Sequence, residues 1–151
     1  LALRPALGTF FVAVGAYDPQ SLLMILPIGL ITVAILHANN TRDVKTDLQA
    51  GLGTSRTSVS LMNAKAIYTF EIFAPYALPL LYVVLLGQPW TLLAVVLTLP
   101  LALRNVRTMI QAEDDLPYRG IQRLDQTTAQ LQMAFGLLYA LGFFLGSWLG
   151  V

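Results

Sequence analysis

Apolar residues in this chain come in long runs separated by two polar stretches. The runs cover residues 5–17, 21–38, 66–87, 90–103 and 131–151. The second and fifth, 18 and 21 residues long, contain no Asp, Glu, Lys or Arg, and the third is interrupted only by Glu71. A helix rises about 1.5 Å per residue and a bilayer core is about 30 Å thick, so a span needs about 20 residues. The run at 90–103 reaches that length by taking in a few residues of the polar stretch after it. The run at 5–17 is too short at 13 residues unless it continues upstream. Pro75 and Pro79 interrupt the third run, which membrane helices tolerate where neighbours satisfy the freed carbonyls. No run alternates with period two, which argues against a transmembrane barrel. The pattern predicts an all-α, multi-span transmembrane helical bundle of four helices plus a partial fifth.

Composition agrees. Hydrophobic residues make up 56% of the 151 and charged residues 11%, against about 25% charged in soluble domains. The net charge of +1 comes with no basic tract and no interleaving of aromatic and basic residues, so nothing points to nucleic acid. With no cysteine, disulfides, thiolate metal sites and cysteine nucleophiles are all excluded. Arg4 ahead of the first short run has the outline of a signal peptide, but no A-x-A-like cleavage site follows it. A fragment beginning inside a membrane helix accounts better for the short run, so the whole chain is expected to be the C-terminal part of one transmembrane domain.

The cations orient the spans. Arg42, Lys45, Arg56 and Lys65 lie in the first long polar connection, and Arg104, Arg107, Arg119 and Arg123 in the second. Two spans separate these connections, so both fall on one side, and Arg4 lands there too. The turns at Asp18-Pro19-Gln20 and Gly87-Gln88-Pro89 carry no Lys or Arg. The positive-inside rule then makes this a multi-pass integral membrane protein with both long connections in the cytoplasm. In a bacterium the membrane would be the inner (plasma) membrane.

Chemistry concentrates where the second run ends, at Asn39-Asn40-Thr41-Arg42-Asp43-Val44-Lys45-Thr46-Asp47. Asn39, Asp43 and Asp47 are spaced by four, and each helical step of four rotates only about 40°, so they share one face. Mg²⁺ is commonly held by one or two carboxylates together with substrate phosphate oxygens, which makes Asp43 and Asp47 candidate metal ligands and catalytic residues. Asn39, Arg42 and Lys45 are candidate diphosphate contacts, since a departing diphosphate needs its charge neutralised. The plain alternative is a solvated connection in which the acids pair with Arg42 and Lys45 and the two Asn residues cap the helix end.

The stretch Ala34-Ile35-Leu36-His37-Ala38-Asn39-Asn40-Thr41-Arg42-Asp43 through Asp47, followed by Ala50-Gly51 and Thr54, resembles the second Asp-rich motif of the UbiA superfamily of intramembrane prenyltransferases. The form Asn-Asn-x-Arg-Asp-x-x-x-Asp is similar to the menaquinone branch, which prenylates 1,4-dihydroxy-2-naphthoate, and to its animal relatives. Thr128-Ala129-Gln130-Leu131-Gln132 and the stretch from Phe135 to Gly142 resemble the last helix of that branch. The resemblance implies nine membrane helices around a cavity, where two Asp-rich motifs bind an isoprenoid diphosphate through Mg²⁺ beside an aromatic acceptor. This chain would supply the second half, and the first Asp-rich motif is absent from it. Leu48 and Leu52 stand where relatives often carry Arg and Lys, so Arg56 or the other half is expected to provide part of the diphosphate contacts.

Other readings remain open at this level. UbiA-type transfer to 4-hydroxybenzoate, haem, chlorin or homogentisate fits the same motif. A transporter with the acids as a cation site fits less well, because they sit at a span end and no internal repeat is evident. Glu71 lies inside an apolar run, where an acid faces either a cavity or a partner. His37 reads as a hydrogen-bonded interface residue, because one histidine cannot make a zinc site. The second connection, with Glu113-Asp114-Asp115, Tyr118-Arg119 and Asp125, reads as a solvated loop, a lid over the diphosphate being the alternative. Orientation is directly testable. Single cysteines at Thr54 and Tyr118 are expected to react only from the cytoplasmic side and one at Gln88 only from outside. Labelling of Gln88 and Thr54 from the same face would contradict the span count.

Overall fold

The structure is a computed structural model that describes residues 19–49, 61–112 and 120–151. Helix α1 spans Pro19–Gln49 and α2 spans Leu61–Leu86. A 3₁₀ segment, Trp90–Thr98, runs directly into α3, Leu99–Ile110, and α4 spans Leu124–Leu149. Four stretches are long and apolar enough to cross a membrane: Leu22–Asp43, Leu61–Leu86, Trp90–Ile110 and Leu124–Leu149. No strand occurs among the described residues. The run at 5–17 lies outside them.

Several boundaries are wider than the apolar runs. Pro19 and Gln20 belong to the first turn of α1 and not to a turn before it, and proline suits a first turn because its missing N–H has no intrahelical partner there. The run at 90–103 does borrow polar residues, ending at Ile110. The last helix starts seven residues before its apolar run, so Asp125 is helical and not part of a loop.

The helices form a four-membered ring. Helix α1 packs on α2 and α4, and α3 with its 3₁₀ segment packs on the same two, while neither diagonal pair of backbones touches. Side chains fill the middle. Ile31, Leu92, Val95, Phe135 and Tyr139 make one buried cluster, and a larger one gathers Ala34, Ala38, Tyr68, Ile72, Ala102, Met109 and Leu131. Aromatic rings cross the diagonal between α2 and α4, with Tyr76 edge-on to Phe135 at 5.4 Å and 84°. In each span window no more than 33% of residues are buried. The outward positions are large and apolar, among them Leu97, Val84 and Phe144, a surface that lipid solvates and water does not.

Proline accounts for one polar tie between helices and for one change of helical register. Pro27 has no N–H to give to the carbonyl of Leu23, four residues earlier. The hydroxyl of Tyr82 on α2 donates to that oxygen at 2.5 Å, and Tyr139 on α4 donates to the next carbonyl, of Met24, at 3.1 Å. In the third span, an α-helical bond to Val96 O would have to come from Pro100. The Leu99 N–H supplies it in the tighter 3₁₀ register instead. That accounts for the changeover at 98–99, although not for the unusual length of the segment before it.

Glycines set the closest approach. A Cβ added at Gly142 would lie 2.8 Å from the Thr91 carbonyl, and one at Gly146 would lie 2.3 Å from Pro89 Cβ. This Gly-x-x-x-Gly face lets α4 press on the start of the 3₁₀ segment, where the Thr91 hydroxyl donates to the Gly142 carbonyl at 2.5 Å. Helix α2 turns into that segment through Gly87, at φ 62°, a left-handed conformation that glycine adopts without strain.

The Pro27–Tyr82 relation can be tested by a double-mutant cycle. Tyr82→Phe is expected to destabilise the protein by about 1 kcal/mol, measured by unfolding in detergent. In a Pro27→Ala background, where Leu23 O regains its own helical donor, the same change is expected to cost close to nothing.

Candidate functional site

Helix α1 stays helical past the membrane span to Gln49, so the four-residue steps joining positions 39, 43 and 47 are helical ones. Of the residues singled out from the sequence, the structure brings together Asn39, Arg42 and Asp43. The side chains of Lys45 and Asp47 lie outside the described residues, as do Arg56, Glu113, Asp114, Asp115, Tyr118 and Arg119.

Arg42 is the hub. Its Nε donates to Asp43 Oδ1 at 2.8 Å and its Nη2 to Asp43 Oδ2 at 3.2 Å. The same Nη2 donates to Asn39 Oδ1, and Nη1 donates to Asp125 Oδ2 on α4 at 2.6 Å. Four of the five guanidinium N–H groups therefore have partners. A planar fork that meets both oxygens of a carboxylate holds it in a fixed direction, so Arg42 sets how Asp43 is presented. The pair is half-open to its surroundings, with 39% of the Asp43 side chain exposed and 18% of Asp125. One oxygen of this cluster, Asp125 Oδ1, is buried without a hydrogen-bond partner.

Asp125 was not legible in the sequence as part of a site. Its surroundings there look like the end of a solvated connection. The one available signal was a carboxylate in the first turn of a helix, which the helix dipole favours in any case.

Below this cluster lies a second polar layer. His37 Nδ1 and Glu71 Oε2 are 2.9 Å apart, tying α1 to α2, and both side chains are largely buried. The acid within the apolar length of α2 therefore has a partner, and the histidine is an interface residue. The His37 ring lies edge-on to Tyr68 at 6.4 Å, and the Tyr68 hydroxyl shares a 2.7 Å hydrogen bond with Thr128 on α4. Thr41, one turn above His37, donates to the His37 carbonyl. At the same end Lys65 Nζ donates to the carbonyl of Ala112, just past α3. The ends of all four helices that carry the basic residues are thereby gathered at one end of the bundle.

A divalent cation fits the chemistry of this end. Asp43 and the Asn39 amide oxygen are hard oxygen donors of the kind Mg²⁺ takes. No group of three or more His, Asp or Glu side chains is in metal-holding arrangement among the described residues, so substrate oxygens, water or further residues would complete any coordination. A groove of about 450 Å³ on the outer side of α3 is lined by Pro100, Leu103, Arg104, Arg107, Thr108 and Gln111, and the motif has no part in it.

Comparison with known proteins identifies relatives of the chain. The UbiA prenyltransferase family model matches residues 1–119. The UbiA prenyltransferase domain-containing protein 1 of Gallus gallus is 33% identical over 135 residues, covering 89% of this chain and 38% of the relative. The protein of that name from Homo sapiens is 31% identical over 137 residues, covering 90% and 38%. A homolog from Drosophila melanogaster is 33% identical over 139 residues, covering 88% and 35%. The chain thus spans somewhat over a third of the length of these relatives.

The buried layer is expected to support the site mechanically. Glu71→Leu strands the His37 nitrogen and should lower stability by about 1–3 kcal/mol, while Glu71→Gln, which keeps an acceptor, should cost less. Equal losses in thermal unfolding for the two variants would show that the hydrogen bond contributes nothing.

Proposed function

The chain belongs to the UbiA prenyltransferase family, and from that premise we propose that the whole protein transfers a prenyl group from an isoprenoid diphosphate to an aromatic acceptor within the membrane. The observation that carries this reading is the cluster at the end of α1, where Asn39 and Asp43 share a helix face at the edge of a span and Arg42 is locked against both. Asp43 is the last residue of a stretch long and apolar enough to cross a membrane, so on this reading the cluster would lie where a lipid-soluble chain and a water-soluble diphosphate meet. The acceptor we favour is 1,4-dihydroxy-2-naphthoate, as in menaquinone biosynthesis, because of the Asn-Asn-x-Arg-Asp-x-x-x-Asp form of the motif.

In this reaction the allylic C–O bond breaks, its electron pair leaves with the diphosphate, and an electron-rich ring carbon captures the carbocation. With the naphthoate, the attacked carbon then loses its carboxylate as CO₂ and the ring regains aromaticity. Mg²⁺, held by Asp43 and Asp47, would neutralise charge on the departing diphosphate. Arg42 orients Asp43 and adds a fixed positive charge beside it, and Asn39 and Lys45 extend the contact surface. By the positive-inside rule the motif faces the cytoplasm.

The test is prenyl transfer by the whole protein in membranes, followed by mass spectrometry with candidate acceptors. Asp43→Ala and Asp47→Ala are each expected to lower product formation by about a hundredfold or more at matched protein level, and chelation to abolish it until Mg²⁺ is restored. Near-normal turnover in either variant would remove the acids from the mechanism. Product with 4-hydroxybenzoate or homogentisate, and none with the naphthoate, would keep the activity and change the acceptor.

A further inference from the structure

Arg42 holds both oxygens of Asp43, and these are the oxygens that a Mg²⁺-bound diphosphate would claim under the function proposed above. A guanidinium and a divalent cation cannot share them at full strength, so cation binding at Asp43 requires Arg42 to let go. Released alone, its positive charge would have no fixed place next to a membrane span. A second carboxylate already holds it. Nη1 lies 2.6 Å from Asp125 Oδ2, the shortest distance in either ion pair of this residue, and Asp125 is the less exposed of the two acids. Asp125 also has a buried oxygen, Oδ1, with no hydrogen-bond partner. That oxygen can accept a further N–H as the guanidinium swings away from Asp43.

We propose that Asp125 is a positioning residue that retains Arg42 beside the motif while Asp43 exchanges the guanidinium for the cation of a metal-bound diphosphate. It acts through Arg42 and not as a ligand. The consequence is a coupling between α4 and the motif on α1. With Asp125 in place, Arg42 divides its bonds between two carboxylates and yields Asp43 readily. With Asp125 neutral, the whole ionic interaction falls on Asp43, and the guanidinium competes more strongly with the metal.

The coupling separates this role from direct ligation and from long-range charge, both of which would weaken metal binding whether or not Arg42 is present. The experiment measures Mn²⁺ affinity by electron paramagnetic resonance in the whole protein, with inorganic diphosphate as the probe ligand, for the four members of the Arg42→Gln, Asp125→Asn cycle. Asp125→Asn by itself is expected to weaken Mn²⁺ binding by about tenfold and to have little effect in the Arg42→Gln background. An equal loss in both backgrounds would overturn the proposal, and so would no loss in either. Asp125→Glu, which keeps the charge, is expected to restore most of the affinity. Should Asp125→Asn fail to accumulate, Arg42→Gln carries the test: removing the competitor is expected to tighten Mn²⁺ binding without diphosphate several-fold, and unchanged or weaker binding would overturn the exchange. Failure of the underlying functional reading has a different signature, in which the unmodified protein shows no diphosphate-dependent Mn²⁺ binding and Asp43→Ala changes nothing.

Discussion

A bilayer offers no hydrogen bonds to a backbone that exposes its polar groups, and the rest of this structure depends on that constraint. Helices satisfy most of the requirement internally. At Pro27 and at Pro100, a neighbouring helix or a tighter register supplies the missing donor. Leu23 O, orphaned by Pro27, receives the Tyr82 hydroxyl. Val96 O, which Pro100 cannot serve, receives the Leu99 N–H. The first arrangement fixes α1 against α2 through specific atoms, which apolar packing alone cannot do when lipid is as apolar as the core.

The same logic orders the interior from one end to the other. Toward the end where α2 turns into the third span, small residues allow close approach, with Gly142 and Gly146 leaving no room for a side chain between α4 and Thr91 or Pro89. In the middle, Tyr76 meets Phe135 and Tyr139 meets Phe143 edge to face, with Phe135 and Tyr139 tilted at 34° between them. Toward the other end, polar side chains reach across the bundle in pairs: His37 to Glu71, Tyr68 to Thr128, Gln132 to Thr32. Polarity increases toward the acid motif, so the charges of Asp43, Arg42 and Asp125 sit beyond the apolar layers.

Arg42 links this scaffold to the acid motif. It is the point at which α1 and α4 meet through charge, and it is also part of the motif that identifies the family. Under the proposed function, structural and chemical roles would fall on one residue, because a guanidinium has enough donors to serve several acceptors at once. An Arg–carboxylate network near the membrane surface gives little stability as such. Its value lies in holding Asp43 and Asn39 in a defined relation.

The sequence by itself determined the class of the molecule: apolar runs of membrane length, a charged fraction of 11% and eight of nine cations confined to two connections leave few alternatives to a multi-span helical bundle. It also marked Asn39, Arg42 and Asp43 as a group, because helical spacing is a local property that needs no knowledge of other elements. Glu71 was recognisable as an acid in need of a partner, but which partner was not. Only the tertiary structure decided that His37 meets it, that Tyr82 serves the carbonyl freed by Pro27, and that Asp125, 83 residues from Arg42 along the chain, closes the cluster. These are contacts between helices. They depend on how four helices are rotated and staggered against one another, and apolar faces that look alike all round carry almost no record of that in the order of their residues.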